Sequence, residues 1–434
     1  MKKHQNRVEP ISLDNSAVIY PPTVARFNTN MFRLSMDLNI EVNPYRLTTA
    51  LENIIKRFPY FALSLHNGFF WYYLSEHDGP LEVYKDIASP CRYLDRKKGA
   101  HGYLFKVFYR EDRIAVEFFH AITDGTGGLT FLKSLVAEYL RLSGYEVGED
   151  PMIFLPDEKV KEEELEDSFN RFYRPIKSVF NVESRAFHYS PKDQLQDELE
   201  VISAKFSVNE LKLKAKEYNL SITEYVVCEI LNAFQQLQEE SVKDKKKWAP
   251  VRLSVPVNIR RVFNSSSLRN FTLFIVVGID VRLGHYEFDE IVNAVMHQMR
   301  GGVNEKTLSL QISRNVAGRR LPFIRFAPNF LKNPILKLLS DSYGDNVYTS
   351  VISNLGDVSL PSGMKEVVKR VDFYLSPSKT NKIAISSIGA KGNIVMNITS
   401  ILTHNTEFER MLCTSFVKKG VSVEVSTNRT NSEE

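Results

Sequence analysis

The stretch from Tyr103 to Leu142 restricts the fold more than any other part of the chain. "YLFKVFYREDRIAVEFFH" holds two apolar-rich segments, 104–109 and 114–119, around the polar Glu111-Asp112-Arg113, which is the pattern of a β-hairpin. Past "AITDGTGG" the period changes. Leu129, Leu132, Leu135, Val136, Tyr139 and Leu140 recur at the spacing of a helix with one buried face. A hairpin that feeds a helix through a glycine-rich turn predicts an α/β fold.

The same alternation runs through the rest of the chain. Residues 24–39 read as a strand or a bent pair of strands, and 43–58 as a helix with Leu47, Leu51, Ile54 and Ile55 on one face. Residues 61–74 read as two strands around His66-Asn67-Gly68. From Gly144 to about Leu199 the pattern dissolves into prolines and the run "DEKVKEEELED", whose charge suits a solvated linker or exposed helix. A strand then leads to a helix opened by Ser207, with Glu210 three residues on as a capping box, and to a second helix after Ser221. "VRLSVPVNIRRVF" and "NFTLFIVVGIDV" read as strands and "FDEIVNAVMHQMR" as a helix. "KIAISSIGAKGNIVMNITSIL" is a hairpin about Ala390-Lys391-Gly392 that echoes the one before His120. At 434 residues the chain exceeds the length at which one core keeps growing, so two domains are expected, 1–197 and 198–434.

Composition narrows the partners. A formal charge of +4 is small for this length, and no cluster of basic and aromatic residues tracks a phosphate backbone, so nucleic acid is not expected. Cys91, Cys228 and Cys413 are far apart and lack ligand spacing, which argues against disulfides and against a metal site. The amino terminus carries charge without an apolar core, and "FTLFIVVGI" is too short to cross a bilayer. A soluble cytoplasmic monomer is the expectation.

The chemistry centres on "FFHAITDGTGG". His120 ends a strand in phase with Ile114, Val116 and Phe118, so its ring points into the sparsely hydrated space they line. Neutral imidazole is the side chain best matched to taking a proton from a hydroxyl or amine near neutral pH. Asp124-Gly125 lets the chain reverse and brings a carboxylate back toward the strand end. As a bare pattern, a core histidine beside an ordinary turn accounts for these residues equally well.

"FHAITDG" resembles the H-H-x-x-x-D-G motif of the CoA-dependent acyltransferases with the chloramphenicol acetyltransferase fold, a superfamily that includes alcohol acetyltransferases and the condensation domains of peptide synthetases. Phe119 replaces the first histidine, and the family's catalytic histidine falls on His120. "SVPVNIRR" (254–261) resembles the family's V-P-V-N/D-x-R strand, with Arg260 as the partner of the motif aspartate, and "VISNLGDV" (351–358) resembles its S/T-N-x-G segment. The D-F-G-W-G motif of the plant enzymes is absent, which favours the bacterial alcohol-acetyltransferase-like branch.

The resemblance implies two α/β domains of mixed sheet flanked by helices, with an active-site tunnel at their interface. An acyl group, foremost acetyl, would pass from a CoA thioester to a small-molecule alcohol or amine. His120 would act as general base, Asp124, Gly125 and Arg260 as structural residues, and Asn354 and Gly356 as oxyanion or substrate candidates. No acyl-enzyme is required, and no G-x-S-x-G elbow is present. Acyl-CoA would be a co-substrate, with no bound cofactor. A condensation-like protein using carrier-bound acyl groups, or a noncatalytic scaffold of the same fold, is the alternative.

Residues 306–340 hold seven Lys or Arg and no acidic residue, interleaved with Leu321, Phe323, Ile324, Phe326, Phe330 and Leu331. Such a stretch suits an anionic bilayer or the phosphates of CoA. Helices with solvated basic faces and apolar core faces would read the same way.

Overall fold

The computed structural model of the chain describes residues 10–87, 89–92, 102–176, 183–191 and 195–428. The first hairpin consists of Phe105–Arg110 and Arg113–Phe119, joined by Glu111-Asp112 with Glu111 at φ 36°. These two strands belong to a five-stranded sheet in the order 368–375, 31–38, 113–119, 105–110, 83–85. From Ile114 to Phe119 every residue is buried. Helix Gly125–Leu142 packs back on strands 31–38 and 113–119. Gly128 permits that approach, since a Cβ there would lie 2.8 Å from the Phe32 ring and 3.1 Å from the Phe118 ring. Phe61, Phe105, Phe118 and Phe131 fill the layer between, with ring centroids 5.1–6.5 Å apart. Helix Pro44–Ile54 covers the neighbouring surface, its first turn capped by Asn43 Oδ1 accepting from the Arg46 N–H at 3.0 Å.

The second half builds a seven-stranded sheet in the order 272–279, 251–258, 350–357, 383–390, 393–402, 195–207, 424–427. Strand Ser350–Asp357 runs parallel to both of its neighbours, while the other pairings are antiparallel, so the sheet is mixed. Helices Ile222–Ser241, Phe288–Gly302 and Glu407–Lys418 pack together over it. Strand Val368–Leu375 leaves the second half and pairs with Met31–Leu38, so sheet membership crosses the 197/198 division. A small third core of Phe169, Ile259, Phe263, Phe271, Leu273, Leu308 and Ile312 lies beside Arg260 in the chain.

Three local readings of the sequence differ from the structure here. The strand expected over 24–39 is confined to Met31–Leu38; Ala25 and Asn28 form only an isolated bridge. The second hairpin of the first half turns over 68–71, because strand Leu63–Asn67 keeps its pairing through His66 and Asn67. The capping box is absent at Ser207 and present at Ser221, where Ser221 Oγ accepts from Glu224 N at 3.2 Å and Glu224 accepts from Ser221 N at 2.7 Å. Glu210, expected to close the Ser207 box, accepts instead from the backbone N–H and hydroxyl of Ser422.

The acidic run is also not wholly solvated. Glu164 is 3% exposed and accepts two hydrogen bonds, at 2.7 and 2.8 Å, from Arg57, which is itself 1% exposed. The Phe154 ring lies 4.1 Å from the Arg57 guanidinium carbon. Alternating charge in sequence gave no sign that one carboxylate of the run would find a buried cation more than a hundred residues away.

Removing one member of a buried pair leaves the other charge unpaired, at a typical cost of about 3–5 kcal/mol. Arg57→Met is therefore expected to lower the stability measured by denaturant unfolding more than the double change Arg57→Met/Glu164→Leu.

Candidate active site

Strand 113–119 delivers His120 to the junction of the two halves. The last sheet bond at that end runs from the His120 N–H to Asn30 O, at 2.9 Å. The half-buried imidazole stacks on Tyr20, with centroids 4.7 Å apart at 22°, and meets the Phe32 ring at 5.0 Å. Nδ1 lies 3.0 Å from Asn270 Oδ1.

The Asn270 amide fixes which way that bond runs. Its Nδ2 donates to His120 O at 3.0 Å and to Asp14 Oδ2 at 3.1 Å, so both amide hydrogens are committed. Oδ1 can then only accept, and Nδ1 must carry the ring proton. Nε2 is left with its lone pair and has no hydrogen-bond partner among the described residues. Burial pushes the imidazole below its ordinary pKa, against the opposing pull of Asp124 and Asn270, which favours the neutral ring near pH 7. Burial likewise raises the Asp14 carboxyl to about 6, with Arg269 and Asn270 opposing.

Asp124 points away from the imidazole into a set of donors. It caps helix 125–142 through Oδ1, accepting from Thr126 N at 3.1 Å and Gly127 N at 3.3 Å. Oδ2 accepts from Phe271 N at 3.0 Å and Thr272 Oγ1 at 2.8 Å. Arg260 binds both oxygens, Nη1 to Oδ2 at 2.9 Å and Nη2 to Oδ1 at 3.0 Å. The rest of its fork donates to Ser267 O, Arg269 O and Asn258 Oδ1. Burial acts to raise the Asp124 carboxyl, but Arg260 and the donors from Phe271 and Thr272 hold it below the usual carboxylate range.

The segment 258–272 therefore wraps the motif turn. Asn258 Nδ2 donates to Thr126 Oγ1 at 3.0 Å, and the Thr123 hydroxyl donates to Leu268 O at 2.7 Å. A Cβ on Gly127 would lie 2.3 Å from that same carbonyl, so this glycine is required by close backbone approach. A Cβ on Gly125 would meet only the end of the Leu355 side chain, at 2.6 Å. From behind, the acidic linker holds the wrap: Leu268 N donates to Glu164 O at 2.8 Å and Ser267 Oγ to Glu166 O at 2.8 Å.

Asn354 and Gly356 are bonded to each other. Gly356, at φ 75°, donates its N–H to Asn354 Oδ1 at 2.8 Å, and Asn354 Nδ2 donates to Thr223 Oγ1 at 2.9 Å. The Gly356 donor is thus already used, while one hydrogen of the Asn354 amide is left. Leu355 between them reaches Gly125, which brings this strand end against the motif turn.

Asn270, Asp14 and Tyr20 escaped the sequence reading. Asn270 follows "SLR" in a stretch without periodicity, and Asp14 and Tyr20 precede the first long strand. Only the fold brings Tyr20 and Asn270 to the ring and Asp14 to Asn270.

No protein-family model matches the sequence, and no curated protein matches it. Solved structures do resemble it. Polyketide synthase associated protein 5 from Mycobacterium tuberculosis is 13% identical, with 95% of this chain and 98% of that one covered and a TM-score of 0.60. TRI101 of F. sporotrichioides, solved with coenzyme A and T-2, is 12% identical over 96% of this chain and 100% of that one, at a TM-score of 0.61. The epimerization domain from the third module of tyrocidine synthetase B is 13% identical over 96% and 97%, at 0.57. The chain has the fold these proteins share, the chloramphenicol-acetyltransferase-like arrangement of mixed sheets flanked by helices.

Asp124→Asn and Arg260→Met are each expected to lower the melting temperature, and the double change is expected to cost less than the sum of the two. Thermal unfolding of the four proteins checks this, with strictly additive losses contradicting a coupled pair.

Proposed function

We propose that this chain is an acyl-CoA-dependent acyltransferase that moves an acyl group, foremost acetyl, from a CoA thioester to a small-molecule alcohol or amine. The observation that carries the reading is the unpartnered Nε2 of His120, whose tautomer Asn270 fixes, on a fold shared with acetyltransferases. Among the neighbours of that fold, TRI101 is solved with coenzyme A and deoxynivalenol, and TRI3 is a trichothecene 15-O-acetyltransferase.

In this scheme His120 Nε2 takes the acceptor's proton as its oxygen or nitrogen attacks the thioester carbonyl carbon. The resulting tetrahedral oxyanion requires a donor, and the free hydrogen of the Asn354 amide is the candidate. Collapse breaks the C–S bond, and the imidazolium returns its proton to the departing sulfur, leaving acylated acceptor and free CoA thiol. Asn270 holds the ring through Nδ1 in both states. Asp124 takes no part in the proton transfer, because its oxygens are engaged by Arg260, Phe271 and Thr272. It sets the turn on which His120 depends. Substrates would reach His120 by the interdomain tunnel that the family resemblance implies, and the Tyr20 ring on the imidazole would form part of its wall.

The condensation-type relatives of the fold favour one other reading, transfer from a carrier-bound thioester. Release of free thiol from acetyl-CoA in the presence of a panel of alcohols and amines, read by mass spectrometry, separates the two. Turnover with acetyl-CoA supports the first, and turnover only with an acylated carrier supports the second.

With a verified acceptor, His120→Ala is expected to lower kcat/KM by about 10²–10⁴-fold without changing the melting curve. Near-full turnover would return His120 to the role of a core histidine. The acid limb of the kcat/KM profile is expected below the ordinary histidine pKa of 6.5, because burial lowers the pKa of the free ring. A limb above that value would contradict the assignment.

A further inference from the structure

The basic, apolar stretch at 306–340 becomes one face with a distant hairpin. It folds as helices Glu305–Arg320, Pro322–Arg325 and Asn329–Tyr343. The tip of the 63–67/72–76 hairpin is fastened to them. Trp71 Nε1 donates to Arg325 O at 3.1 Å, Asn329 N donates to Phe69 O at 2.8 Å, and Lys332 Nζ donates to Phe70 O at 2.5 Å. Lys332 and Arg319 both lie over the Trp71 ring, at 3.2 and 4.8 Å from its centroid. Elements far apart in sequence are thus held as a single surface.

That surface is apolar where it meets water. Phe323, Phe326 and Phe330 are 70%, 64% and 69% exposed, Leu338 66%, and Phe69 at the hairpin tip 67%. Helices seeking only a core partner would turn such side chains inward. Beside them lies a cleft of about 470 Å³ lined by Arg319, Arg320, Arg325, Trp71, Asn15 and Asn170. Arg319 donates to Leu13 O, with Asp167 and Asp14 close enough to act on its charge, while Arg320 donates to the neutral Asn170 Oδ1 and lies 4.2 Å from the Tyr173 ring centroid. Burial, and after it the adjacent Arg319, pushes Lys332 down to about 8.

We propose that this face docks the protein on an anionic lipid bilayer, with the exposed phenylalanines and leucines entering the interface and a phosphate headgroup occupying the arginine cleft. Charge complementarity selects this occupant. A second copy of the chain would bring the same cations against each other, and an apolar protein partner would add no counter-charge beside Arg320 and Arg325. A bilayer supplies both an apolar layer for the exposed phenylalanines and a sheet of phosphates for the arginines.

The test uses the full chain with phosphatidylcholine vesicles and with vesicles of phosphatidylcholine mixed with phosphatidylserine. The protein is expected to sediment with the mixed vesicles at low salt, to release as salt rises, and to stay in solution with the neutral ones. Each cation removed is expected to weaken binding by roughly fivefold, so Arg320→Gln/Arg325→Gln loses about 25-fold. Phe323→Ser/Phe330→Ser, at exposed positions, is expected to weaken binding at every salt concentration. His120→Ala is expected to bind as the parent does, so this result stands apart from the acyl-transfer reading. Equal recovery on both vesicle types, binding unchanged by both double variants, or a dimer in solution that Phe323→Ser/Phe330→Ser dissociates would overturn the proposal.

Discussion

The Asp124 carboxylate occupies a place that water does not reach, and the arrangement around His120 rests on the way it is neutralised. Arg260 alone would cancel the charge. The additional donors from the first turn of helix 125–142 and from Phe271 and Thr272 spread the remaining lone pairs over a helix start and the start of strand Thr272–Ile279. One ion thus locates the end of the His120 strand relative to the start of strand Thr272–Ile279. Because Asn270 sits one residue before Phe271 in the same wrap, the partner that sets the histidine tautomer is placed by the contacts that anchor the carboxylate. Positioning and protonation state share one cause.

Much of this was legible in the sequence where residue type is dictated by backbone geometry. The apolar run Ile114–Phe119, the helical spacing of Leu129 to Leu140 and the glycines between them mark a strand, a helix and the turn joining them, so the α/β class could be read. His120 and Asp124 stood out as a strand-end histidine before an Asp-Gly turn, and Arg260 through the resemblance of SVPVNIRR to the family's strand. The structure brings Asp124 and Arg260 within hydrogen-bond reach and places His120 on the other side of the same turn.

What escaped depends on distance along the chain. Nothing near Asn270 distinguishes it from a loop asparagine, since its role comes from His120 and Asp14, each well over a hundred residues away. Glu164 looked like a solvated acid because its neighbours are charged; its buried cation, Arg57, lies more than a hundred residues earlier in the chain. Ser207 and Ser221 carry the same local signal for a capping box. The deciding term was a competing donor, Ser422, which drew Glu210 away from one of the two. The Gly356 N–H, an oxyanion candidate by resemblance, is taken by the side chain of Asn354 two residues earlier, a contact set by the bend at φ 75°.

Strand Val368–Leu375 carries a consequence for how the chain is made. It is the edge partner of Met31–Leu38 and is synthesised after more than three hundred further residues have left the ribosome. Until then the first sheet exposes the backbone donors and acceptors of Met31–Leu38, an open edge of the kind that invites pairing with other chains. A nascent chain of this protein therefore passes most of its synthesis with one flank unfinished. Slow translation or truncation upstream of 368 would extend the interval in which that flank lies open to chaperones and to other chains.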